Sequence, residues 1–153
     1  MPAGVITIPA WISTGAGRQG SSEQLVTMDN GVPQSASPIT KIGYATGAGL
    51  AVTQITSRAT GVTINATCGA ITTDATSLAA AAEVRFVVTN SAVEIGDVVV
   101  ACVRSGPTAD TSVVDVVAVA AGSFTLQLTN LHASVADTGA AIINFAVIKA
   151  VSA

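Results

Sequence analysis

From about Lys41 onward, short apolar runs alternate with Gly, Asn, Asp and Ser. The runs are Ile42–Thr46, Ala51–Thr56, Gly61–Asn65, Gly69–Thr72, Glu83–Asn90, Asp97–Arg104, Ser112–Ala120, Ser123–Asn130 and Ala140–Lys149. Several short strands at ~8–12-residue spacing predict a β-sandwich or barrel. Within two of them the side chains alternate. Val84, Phe86 and Val88 fall on one face and Arg85 on the other. Phe124, Leu126 and Leu128 oppose Thr125, Gln127 and Thr129. That period of two predicts strands with one dry and one wetter face. Val98–Val103 is apolar on both faces. It predicts either a central strand or one covered a second time by oligomerisation. A single stretch, Thr76–Ala82, is Ala-rich enough for a helix. It is too short to be stable alone, so one turn or a compact loop is expected. The expected fold is all-β: an antiparallel β-sandwich, jelly-roll-like, over residues 41–153.

Residues 1–40 are different. They hold four of the five prolines, Pro2, Pro9, Pro33 and Pro38, and too little apolar material for a core. Two β-like pieces stand out, Val5-Ile6-Thr7-Ile8 and Leu25-Val26-Thr27-Met28. The second leads into Asp29-Asn30-Gly31, a strong turn signal. The segment reads as an extended N-terminal arm. Its candidate partner-binding residues are Val5, Ile6, Ile8, Leu25 and Val26, which could extend a neighbour's sheet edge. Trp11, beside Ile12, would anchor the arm in a partner's pocket, and Tyr44 is a second scarce aromatic of the interface type.

Composition sharpens this picture. Half of the 153 residues are hydrophobic, but only 10% are charged and 3% aromatic. The apolar share is Ala, Val and Ile, and Val, Ile and Thr suit a pleated sheet. A free monomer covers itself with about 25% charged residues. So few charges imply a surface of Ser, Thr, Ala and backbone, or one buried against partners. The net charge of −3 shows no basic patch, so nucleic acid is not an expected partner. Mean hydropathy is positive. Even so, the Val-rich stretch Ser112–Ala121 is short and interrupted by Asp115, and no 18-residue apolar run is present, so no membrane partner is expected. The opening MPAGVITIPAW lacks the basic and long apolar regions of a signal peptide.

The candidate chemistry is thin. Cys68 and Cys102 lie in or beside apolar β-like segments and read as two buried free thiols. With the lone His132 they cannot complete a structural zinc site. Gly15-Ala16-Gly17-Arg18-Gln19-Gly20 fits G-x-G-x-x-G. It lacks a following amphipathic helix, and no acid occurs between Asp29 and Asp74. It reads as a glycine loop. His132 has no serine or acid at a recognisable spacing. No carboxylate pair sits in a glycosidase-like motif. Most acids, such as Asp97, Asp110 and Asp137, fall at turns, where Asp serves the backbone. No catalytic residue, metal or cofactor is expected.

Three pieces of the chain resemble a module of tailed-bacteriophage structural proteins. They are GYATGAGLAVTQITSRATGVTIN (Gly43–Asn65), AEVRFVVTNSAV with the following DVVVACVRSG, and the pair VVAVAAGSFTLQLTNL and INFAVIKAVSA. The resemblance covers roughly three quarters of the chain and none of Met1–Thr40. It implies a virion protein, either a trimeric attachment on the head or part of the tail. One compact β-domain with an arm fits a capsid decoration, or cement, protein. The expected partners are then the major capsid protein and two further copies in a homotrimer, on the outer surface of the head. A tail or fibre component is the alternative. A carbohydrate-binding module is a further one, disfavoured by only five aromatic residues for stacking.

Overall fold

The computed structural model describes residues 27–29, 32–34, 44, 48–108 and 111–150. The chain divides into two units, Met1–Gly43 and Tyr44–Ala153. In the first, β1 (Thr27–Asp29) pairs antiparallel with β2 (Val32–Gln34). Asn30-Gly31 stands between them in sequence, where the turn signal was read. Val5, Ile6, Ile8, Trp11, Ile12, Leu25 and Val26 lie outside the described residues, as does most of the predicted strand Ile42–Thr46.

The second unit is an all-β sandwich. Its strands are β3 (Gly49–Thr53), β4 (Val62–Thr63), β5 (Cys68–Thr72), β6 (Glu83–Thr89), β7 (Val98–Ser105), β8 (Ser112–Ala120), β9 (Ser123–Asn130) and β10 (Ile142–Ile148). They form two four-stranded sheets, β3-β5-β10-β7 and β4-β6-β9-β8. From β3 to β8 each successive strand crosses to the other sheet and reverses direction. Two crossings restore the direction, so β3 pairs parallel with β5, and β4 with β6. The remaining four pairings are antiparallel, as expected. Each sheet is therefore mixed rather than wholly antiparallel.

The core lies between the sheets. The inward rows of β6 and β9 are those that alternation predicted: Val84, Phe86 and Val88, then Phe124, Leu126 and Leu128, all buried except Val84, which is partly buried against the core. Ile71, Ile143, Phe145 and Val147 meet them from the other sheet. Phe124 and Phe145 stack across the interior, centroids 5.3 Å apart and tilted by 49°. Each such side chain contributes about 1.5–3 kcal/mol on burial. The Thr76–Ala82 stretch is a compact loop, not a helix. Leu78 forms an isolated bridge with Asp137, and Ala82 N–H closes a turn on the Ala79 carbonyl. Burying Leu78 in the core outweighs the helical preference of its alanine neighbours.

Two apolar sheet faces and a set of buried polar pins

The two sheets differ on their outer faces. Cross-strand register places Glu83, Thr129 and Val113 in one row outside β4-β6-β9-β8, and Arg85, Gln127 and Asp115 in the next. Arg85 Nε donates to Gln127 Oε1 at 2.6 Å, and its guanidinium lies 3.3 Å from Glu83. This face is solvated and charged, with Val87, Val113 and Val117 exposed among its polar residues.

The outer face of β3-β5-β10-β7 reads Gly49, Cys68, Ala146 and Val100 in one row. The next row is Ala51, Ala70, Asn144 and Cys102. Ile148 and Val98 stand beyond, each about half exposed (56% and 51%). Among the described residues the one charge here is Arg104, at the irregularity that ends the β7–β10 ladder. The row beyond Cys102 is Thr53, Thr72, Ile142 and Ser105, so this outer face is poor in charge and made mostly of small and apolar residues, with Thr53, Thr72, Asn144 and Ser105 as its uncharged polar positions. The doubly apolar run Val98–Val103 is not a central strand: β7 is the sheet's edge. The expectation that Cys68 and Cys102 are buried also fails. Cys68 is half-buried and Cys102 exposed, because both fall in outward rows. Two strand spacings, about 10 Å, separate them, too far for a bridge within one chain.

Tyr44, the described member of the predicted partner-binding set, keeps its ring half exposed while its hydroxyl donates to the Val147 carbonyl. Its polar end is thereby satisfied within the domain.

Sequence reading missed a buried ion pair. Arg58 and Asp137 are 3% and 0% exposed, with Nη1 and Oδ2 3.5 Å apart. Hydrogen bonds satisfy the rest of both groups. Asp137 accepts from Ser112 Oγ (2.7 Å) and from the Thr108 and Gly139 amides (both 3.0 Å). Arg58 donates to the carbonyls of Thr76, Asp137 and Gly139. Burial pushes the Asp137 carboxyl up. The Ser112 hydroxyl, the two amides and then Arg58 outweigh that, and the group sits below its ordinary value. The cluster ties the loops around residues 58, 76, 108 and 138 together. Gln54 does the same for its own loop, donating to the carbonyls of Arg58 and Thr60 and accepting from the Asp74 amide. Asn90 and Asn130, both fully buried, pin the ends of β6 and β9. Asn130 donates to the carbonyls of Leu78, Ala79 and Val135 and accepts from the His132 amide.

Asp97 also does more than hold a turn. It accepts from the Glu94 and Ala150 amides and from Lys149 Nζ at 2.7 Å. Lys149, and then the Glu94 amide, hold its carboxyl below the ordinary value. Asp97 in turn raises Lys149. His132 accepts two backbone N–H bonds at Nδ1, from Ser134 and Val135, so it serves as a loop staple. Among the described residues no buried side-chain polar atom lacks a partner, and no three metal-ligating side chains converge. No helix among them is long and apolar enough to cross a membrane. An open groove of about 400 Å³ lies along Val103–Thr108, Thr111 and Ser112, and Arg104 is the titratable side chain among these residues. The polar groups that converge here are spent on one another. The charge-poor outer face of β3-β5-β10-β7 is open to another molecule.

The chain matches no family model, no curated protein and no solved structure.

Proposed function

We propose that this chain is a non-enzymatic structural component of a tailed-bacteriophage virion, a decoration protein that binds the outer surface of the head as a homotrimer and reinforces it. The observation that carries the reading is the outer face of β3-β5-β10-β7, poor in charge across four strands, with Arg104 the one charge among its described residues and exposed Val98, Val100 and Ile148. A chain that lives alone does not leave such a face to water. Two further features support the reading. The pieces that resemble phage structural proteins supply β3, β4 and β6 to β10. The buried polar groups work as pins between loops, which suits a load-bearing shell part.

On this reading the arm, residues 1–40, adds strands to edges of the major capsid protein through Val5–Ile8 and Leu25–Met28. Trp11 fills a pocket there. Binding to the assembled shell alone stabilises that shell by linkage, and a few kcal/mol per subunit suffices because the contact repeats over the lattice. The test is to add purified protein to heads that lack it. Co-sedimentation and a higher melting temperature of the heads are expected. Heads that neither bind the protein nor gain stability would contradict the proposal, and binding to tails alone would move it to the tail.

A further inference from the structure

The outer face of β3-β5-β10-β7 is uneven in a way that points to its occupant. Along β7 it carries Val98 and Val100, both about half exposed. At the other edge β3 presents Gly49 and Ala51, with Ala70 of β5 beside them. In the row of Gly49, Cys68, Ala146 and Val100, side-chain size rises toward β7, which makes the β7 side the ridge and the β3–β5 side the trough. A surface bearing paired charges would lose their hydration here and gain no counter-charge beyond Arg104. The opposite sheet, with Glu83, Arg85 and Asp115, is such a surface and does not fit. An uncharged face with a trough for the ridge does fit, and this chain has one: the same face of another copy.

We propose that the β7 ridge of one copy packs into the β3–β5 trough of the next, about a rotation axis that runs along the strands. Such an axis exchanges left for right across the sheet and keeps each residue row level. Val100 then meets Gly49 and Cys102 meets Ala51, instead of Val100 meeting the neighbour's own Val100. A perpendicular axis would stack ridge on ridge. Two copies satisfy the contact as a back-to-back pair. Three satisfy it as a closed ring, each ridge in the next trough. The contact itself stands apart from the virion reading; the choice of three copies rests on that reading.

The register makes a specific test. Ala51, Ala70, Asn144 and Cys102 share one row. Rotation along the strands therefore brings Ala51 over Cys102 of the neighbouring copy, across facing sheets, a separation that inter-sheet disulfides span. The experiment oxidises the full-length Ala51→Cys protein and runs it on a non-reducing gel. Wild type, Ala51→Cys/Cys102→Ser and Val87→Cys, on the opposite face, run beside it. Circular dichroism confirms that each is folded. Covalent multimers from Ala51→Cys, lost with Cys102→Ser and absent from Val87→Cys, are expected. A ladder ending at three supports the homotrimer. One ending at two leaves the face contact intact and contradicts the trimer. No covalent species above wild type, or equal linking from Val87→Cys, would overturn the contact itself. Val100→Asp adds an independent readout, a fall in solution mass by light scattering.

Discussion

Gly106 and Gly139 mark the closest approach of two loops. Gly106 has φ +101°, and a Cβ there would lie 1.9 Å from the Ala140 carbonyl oxygen. A Cβ on Gly139 would lie 2.0 Å from the Gly106 oxygen. Backbone cannot yield as a side-chain tip does. Gly106→Ala or Gly139→Ala should therefore cost at least about 2 kcal/mol, read as a lower midpoint in urea melts. Thr56 is the opposite case, a β-branched residue at φ +100°. Such strain costs of order 1–3 kcal/mol, so Thr56→Gly should stabilise by about 1 kcal/mol after the entropy that glycine adds to the unfolded chain. Loss of stability would mean that the Thr56 side chain holds the loop. At Arg58 and Asp137, removing one partner strands a buried charge. Asp137→Ala should destabilise by about 3–5 kcal/mol, again measured by denaturant melts. None of this was legible in the sequence. Arg58 and Asp137 are 79 residues apart, and a turn Asp looks the same whether it caps a loop or meets a buried guanidinium.

At the scale of elements, legibility followed chemistry. β6 and β9 have one polar face, so their period of two was plain, and the predicted inward rows are the buried ones. β8 and β9 were bounded to the residue by the turn at Ala121-Gly122. β5, β7 and β10 could not be oriented, because small and apolar residues occupy both of their faces. Their outward rows emerged only from register, and with them the exposed cysteines. The Asp97–Lys149 contact clips the start of β7 to the end of β10. Its pH dependence follows from the shifts. Asp97 and Asp137 are held below their ordinary value of 3.8, so they stabilise the fold above that pH and lose this as pH falls through their folded values. Lys149 is raised above 10.5, so its contribution is complete below that pH and lost above it. Stability should drop below about pH 4. Asp97→Asn should flatten part of that acid limb. An acid limb unchanged in Asp97→Asn would show that the clip contributes nothing.

The second unit is a sandwich with one charged and one charge-poor outer face, made by a chain with 10% charged residues. The low charge was visible from composition, but which face carries it was not, since that depends on how strands distribute between sheets. The charge-poor face is the structural feature that supports the proposed assembled state. The most direct test of the proposed role is cryo-electron microscopy of tailed-phage virions purified from cells that produce this chain. The account predicts density at three-fold or quasi-three-fold sites over the head, with the β3-β5-β10-β7 faces turned toward one another and residues 1–40 laid across capsid subunits. Density confined to the tail, or no copy of the chain in the particle, would contradict it.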